Sequence, residues 1–219
     1  MIGIRLRDWA MRCACPLSCL AIFSMFIHPA AAEDVVLVEE HWELHVGGPD
    51  SDSSSPQVSM VMSPTNNLFG DYFLFSLNYG SVPSFQPGGM QLQHWYGDDI
   101  HSSTNGPKDG TLHHDDEVIR WTQRLSVHNS QLTLEIVDGV SQTWGNFGGQ
   151  GYLKASAETT TSNLNAYRPF VSLGESGVGF AGNRVSSLIL TKLRWVTSDG
   201  EEYETVAPID IDIDADLDP

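Results

Sequence analysis

Two stretches of this chain gather the residue types that meet a sugar. Thr143-Trp144-Gly145-Asn146-Phe147-Gly148-Gly149-Gln150-Gly151-Tyr152 sets three aromatic rings among two amides and four glycines. An aromatic face suits the apolar side of a pyranose, and Asn and Gln side chains exchange paired hydrogen bonds with vicinal hydroxyls. Trp144, Asn146, Phe147, Gln150 and Tyr152 are therefore candidate ligand-binding residues. Gln91, Gln93 and Trp95 repeat the combination at a spacing of two, which puts all three on one face of a strand. A second reading stays open for the longer stretch: Trp144 and Phe147 cap a core, and the glycines make bulges and turns.

A different chemistry is offered by His113-His114-Asp115-Asp116, followed by Glu117, and by Asp50 and Asp52 in Gly47-Gly48-Pro49-Asp50-Ser51-Asp52. Carboxylate-rich loops suit Ca²⁺, and a His-carboxylate mixture suits Zn²⁺ or Mn²⁺. Adjacent residues seldom ligate one ion together, so a solvated loop is the competing reading for both. The alternating Asp210, Asp212, Asp214, Asp216 and Asp218 have neither the Gly at position six nor the Glu at position twelve of an EF-hand loop. That tail, 209–219, reads as an edge strand with Ile on one side, fraying into acid. No Gly-x-Ser-x-Gly elbow occurs, and Cys13, Cys15 and Cys19 all precede Ala32. Thiol catalysis and zinc–thiolate sites are thus excluded from the rest of the chain.

The first 32 residues have an order of their own. Arg5, Arg7 and Arg12 precede an apolar run, Cys13–Ile27, that ends in Pro29-Ala30-Ala31-Ala32 before Glu33-Asp34. Basic, apolar, then small is the pattern of a secretory signal peptide, cut after about Ala32. The run is short of the roughly 20 residues that span a bilayer. The expectation is a secreted, periplasmic or cell-envelope protein of bacterial type, without disulfides and without membrane insertion once cleaved. The whole chain carries a net charge of −17. Cleavage would take away three of its eleven basic residues and one of its twenty-eight acids, leaving −19. Such a surface repels nucleic-acid phosphates and anionic membranes, so neither is an expected partner.

The elements that must position these residues alternate with period two. Trp42, Leu44 and Val46 oppose His41, Glu43 and His45. Further runs cover Gln57–Ser63, Asp71–Tyr79, Met90–Trp95, Val118–Val127, Gln131–Val137 and Val185–Val196. His128-Asn129-Ser130 reads as a hairpin turn. The joints Ser63–Gly70, Gly97–Asp116, Gly145–Gly151 and Gly174–Asn183 are dense in Gly, Pro, Asn, Asp and Ser. Seven or more strands at this spacing, with no amphipathic helix, predict a single all-β domain, an antiparallel β-sandwich of jelly-roll type over 33–208.

The run Val185–Trp195, entered from Ser176-Gly177-Val178-Gly179-Phe180, resembles the closing strands of concanavalin A-like jelly rolls, as does the strand running into Trp144–Gly149. The chain is also similar to secreted bacterial β-sandwich proteins that have no assigned activity. The concanavalin A-like resemblance implies a lectin-type or glucanase-type sandwich. Glucanases of that fold carry Glu-x-Asp-x-x-Glu along one strand, and this sequence has no Glu-x-Asp. Glu135 and Glu43 are the remaining acids inside strand runs. The sequence is therefore read as a non-catalytic module for carbohydrate or another cell-surface ligand, with calcium as a candidate structural ion. The alternatives are a polysaccharide-active hydrolase or lyase without a recognisable motif, and a structural or adhesive envelope protein.

Overall fold

The computed structural model describes residues 33–47, 56–78, 89–108, 110, 112, 114–180, 184–206 and 208–211. The long alternating runs become the long strands: β1 (Val35–Val46), β6 (Glu117–His128), β7 (Gln131–Ser141) and β11 (Val185–Thr197). With β8 (Gly145–Phe147), β9 (Lys154–Glu158), β12 (Glu202–Thr205) and β13 (Ile209–Asp210) they build an eight-stranded sheet. Its main path runs β12-β11-β1-β6-β7-β8, with β13 on β11 and β9 on β7. A second sheet has the order β10-β2-β3-β4-β5. Its members are β2 (Gln57–Met62), β3 (Asp71–Leu77), β4 (Met90–Tyr96), β5 (Asp99–Asn105) and β10 (Gly177–Phe180). Every described pairing is antiparallel. The all-β sandwich read from the sequence is the observed fold.

Alternation decides which side chains meet between the sheets. From the larger sheet, Val38, Trp42 and Leu44 point inward beside Ile119, Trp121 and Leu125. From the smaller, Val58, Met60 and Met62 lie beside Phe73, Phe75 and Leu77. Trp42 and Trp121 stack with centroids 6.4 Å apart, and Phe75 meets Trp121 edge-on across the gap at 6.2 Å. Each of these rings contributes on the order of 4–6 kcal/mol by burial alone, which fixes the sheets face to face.

Local chemistry sets the joints. At the tip of the β6–β7 hairpin, His128 pairs with Gln131 while Asn129 and Ser130 take φ of 49° and 59°. Two successive positive φ values make a type I′ turn, whose twist matches that of the flanking strands. Six elements escape a reading by periodicity: β8, which lies inside the expected joint Gly145–Gly151, the short β9 and β12, and three more. Strand β5 lies inside the expected loop Gly97–Asp116, and all seven of its residues are exposed. Its polarity is what an edge strand needs, but it leaves no alternation to detect. The expected loop Gly174–Asn183 holds β10, and a seven-residue helix, α1 (Pro169–Glu175), is too short for a 3.6-residue pattern to show.

Candidate functional site

The two outer sheet faces differ in kind. On the larger sheet many outward positions are charged. Glu39 sits between Arg124, at 2.6 Å, and Arg194, at 2.8 Å; Arg194 reaches on to Glu202, and Glu43 binds Arg120 and His45. Burial alone would raise the Glu39 carboxyl, but the two guanidinium groups outweigh it and hold it below the usual range. Five of the eight basic residues after Ala32 (Arg120, Arg124, Lys154, Lys192 and Arg194) belong to this face.

The outward face of the smaller sheet carries no formal charge at its described, strand-paired positions. Register aligns it into three rows that cross the strands. One row is Ser59, Ser76, Gln91 and Asn105; the next is Val61, Leu74, Gln93 and Ser103; the third is Tyr72, Trp95 and Ile100. A directed chain of hydrogen bonds links them. Trp95 Nε1 donates to Gln93 Oε1 at 3.0 Å, Gln93 Nε2 to Gln91 Oε1 at 2.6 Å, and Gln91 Nε2 to Asn105 Oδ1 at 2.8 Å. Each amide nitrogen has a second N–H, and among the described residues Asn105 donates neither of its own, so the chain retains donors for an added hydroxyl. Asn105 and Ser103 are exposed and Gln93 half-buried, whereas Gln91 and Ser76 are buried.

The aromatic row is itself largely covered, with Tyr72 and Trp95 at 5% and 8% exposure and Val61 beside them at 3%. Tyr72 and Trp95 stack at 6.0 Å, and with Val61 they form an apolar cluster against which Leu68 and Leu74 pack. Tyr72 Oη donates to the Gly97 carbonyl at 3.1 Å. Burial, then the charges of Asp98 and Glu175, push its phenol up to about 12, so it stays a neutral donor. Phe69 and Ile100 are exposed beside this cluster.

Gln91, Gln93 and Trp95 are thus brought together on one face. The second group is distributed differently. Trp144 is 3% exposed, its Nε1 donating to the Gly110 carbonyl at 3.3 Å, and it meets Phe147 edge-on at 6.3 Å. Phe147 is buried over Gly139, its cross-strand partner, where a Cβ would run into the ring. Tyr152 is half-buried, and Asn146 and Gln150 are exposed. This group rides on the β7–β8 edge of the other sheet, so the two candidate groups lie on different sheets.

Of the metal candidates, Asp50, Asp52 and His113 lie outside the described residues. His114, Asp115 and Asp116 form the turn into β6, with Asp116 at φ 51° and both aspartates exposed. Among the described residues no three His, Cys, Asp or Glu side chains converge as a metal-binding group. Glu117, next along, is fully buried and accepts from Thr143 N at 2.7 Å and Thr143 Oγ1 at 2.6 Å, a structural role. Glu135 accepts from the Gly151 amide, and Glu43 is paired as above.

Ser59, Ser76, Ser103 and Asn105 were not singled out by sequence. Ser103 and Asn105 sit in the edge strand without apolar alternation, and the two other serines mark no motif. A further inward acid, Glu40, could have been found, because it is in phase with Val38, Trp42 and Leu44.

These features define an all-β antiparallel sandwich with one charged and one uncharged outer face. No protein-family model matches the chain, and no curated protein matches it. Two solved peptidase structures are similar at 16% identity. One is scytalido-glutamic peptidase with a transition state analog inhibitor, with a TM-score of 0.31 over 80% of this chain and 82% of that one. The other is SCP-B, a member of the Eqolisin family of peptidases, in a complex with the tripeptide Ala-Ile-His, with a TM-score of 0.28 over 80% of this chain and 81% of that one. Likeness of this degree carries nothing about activity.

Proposed function

We propose that this protein is an exported, non-catalytic module that binds neutral carbohydrate on the outer face of its five-stranded sheet. One observation carries the reading: in a chain of net charge −17, the described paired positions on this face hold amides, hydroxyls and aromatic or aliphatic side chains and no formal charge. A neutral polyol loses little on leaving water for such a surface, because the amide chain replaces its hydrogen bonds and no ion is desolvated. Acidic glycans, by contrast, meet a repulsive overall field. The exposed Phe69 and Ile100 extend the apolar side toward the solvent. Export through residues 1–32 belongs to the same proposal, and calcium is its candidate ion at the acidic loops.

The test is a glycan array probed with the purified protein, in Ca²⁺ and again in EDTA, with neutral and uronate-bearing glycans side by side. Saturable binding of neutral glycans that is lost on Gln93→Ala supports the assignment. Loss in EDTA would move the site to the acidic loops, and absence of binding would overturn the proposal.

A further inference from the structure

Glu40 is fully buried in the layer between the sheets. Its carboxyl accepts from Trp42 Nε1 at 2.9 Å, Gln123 Nε2 at 2.7 Å and Tyr167 Oη at 2.5 Å. Trp42 and Gln123 come from strands. Tyr167 comes from segment 159–176, which leaves β9 on one sheet and enters β10 on the other, and so runs across the sandwich. Toward its ends the segment is tied by Thr159 N to Ser130 O, Leu164 N to Val35 O, and Val61 N to Ser176 Oγ, at 2.7–2.9 Å. Leu164, Tyr167, Pro169, Val171 and Ser172 are its buried residues.

Among the described residues, the groups bonded to Glu40 are uncharged. On β1 its neighbours Glu39 and His41 turn to the outer face, as do Arg124 on β6 and Arg194 on β11. Its register partners are Gln123 and Leu193. The segment contributes Tyr167 and Ser172; its own charged groups are Arg168, which donates to the Asn165 and Tyr167 carbonyls, and Glu175, whose carboxyl burial also raises. On the facing sheet the inward titratable groups of β3 and β4 are Asp71 and His94, bonded to each other at 2.9 Å. A carboxylate enclosed without a cation must keep its proton or admit water. Burial pushes the Glu40 carboxyl up despite its donors, and burial together with the Glu40 charge and hydrogen bond pushes the Tyr167 phenol well up too.

Gln123 Oε1 is buried and has no partner among the described residues, and Ser172 Oγ faces the Glu40–Tyr167 pair. Entering water would satisfy Gln123 Oε1 as well as the ionised carboxylate, so opening has a compensating gain.

We propose that segment 159–176 is a proton-gated strap: neutral Glu40 holds it shut across the sandwich through Tyr167, and ionised Glu40 draws in water and lifts it. The sign follows from linkage. With the closed-state pKa raised above 4.5, the closed form binds more protons, so closure weakens as pH rises from that value through the raised one. This device is independent of the carbohydrate reading, since Glu40 lies inside the sandwich rather than on the uncharged face.

The test is hydrogen exchange on the intact protein from about pH 4 to about pH 8, corrected for intrinsic rates, comparing amides of 164–176 with those of β6. Protection of the strap should fall up to about tenfold per pH unit while β6 stays level. Glu40→Gln, which cannot ionise, should flatten that slope. A level strap profile in the wild-type protein, or a slope that survives Glu40→Gln, overturns the proposal. Should Glu40→Gln fail to fold, carboxyl ¹³C titration of the wild-type protein decides: a Glu40 midpoint above 4.5 supports the gate, and one at or below it refutes the gate.

Discussion

Replacing Trp144 with alanine separates two roles that the sequence alone leaves open. If the indole is a sugar platform, its loss abolishes binding and spares the fold. The structure buries it to 3% exposure, packs it edge-on against Phe147 and ties its Nε1 to Gly110 O. Truncating a ring so enclosed costs about 3–5 kcal/mol, because the cavity cannot collapse fully and the Gly110 carbonyl loses a donor. For a domain of this size each kcal/mol lowers the melting temperature by about 2–4 °C, so the drop should be about 6–20 °C. Scanning calorimetry reads the drop, and titration with a neutral glycan, well below both melting temperatures, reads binding. The expected result is a large thermal loss with the dissociation constant unchanged within about a factor of two. A variant that melts within about 2 °C of the parent yet no longer binds would refute the burial argument.

Three further changes follow from local geometry. Ser130→Gly should stabilise the protein by about 1 kcal/mol in urea unfolding, since glycine takes the φ of 59° without the penalty of a Cβ. Gly148→Ala should cost more than about 2 kcal/mol in the same assay: φ is 86°, and the new Cβ would sit 2.7 Å from the Asp138 Cα, so backbone must shift. Glu39→Gln should cost about 1–3 kcal/mol near neutral pH and flatten the acid limb of the stability curve. The Glu39 pKa is lowered in the fold, so its contribution is full above 4.5 and fades as pH falls through the depressed value. An acid limb unchanged in the variant would contradict that assignment.

Strands with a clean inside and outside were legible. β1, β6, β7 and β11 alternate because one face meets the opposite sheet, and their side chains announce it. The edge strand β5 was hidden, since pairing with β4 rather than burial makes it a strand. Of the candidate site, Gln91, Gln93 and Trp95 could be grouped by their i, i+2 spacing within one strand. Their cross-strand partners Ser76, Ser103 and Asn105 depend on register, which spacing within one run does not encode. Trp144 shows the opposite limit, because composition alone does not separate an aromatic that faces a ligand from one that caps a core. Glu40 was visible as an acid in phase with apolar neighbours, but its partner Tyr167 is 127 residues away.

The central claim is that the uncharged face of the smaller sheet binds neutral carbohydrate, and Gln93 is its middle link. Calorimetric titration of neutral gluco- and manno-oligosaccharides into the wild-type protein and Gln93→Ala tests it most directly. The account predicts an affinity loss of at least about tenfold, roughly 1.4 kcal/mol, measured well below a melting temperature that itself falls by about 2–12 °C because Trp95 Nε1 and Gln91 Oε1 each lose a partner. Equal affinity in the two proteins, or no heat of binding in the wild type, would contradict it.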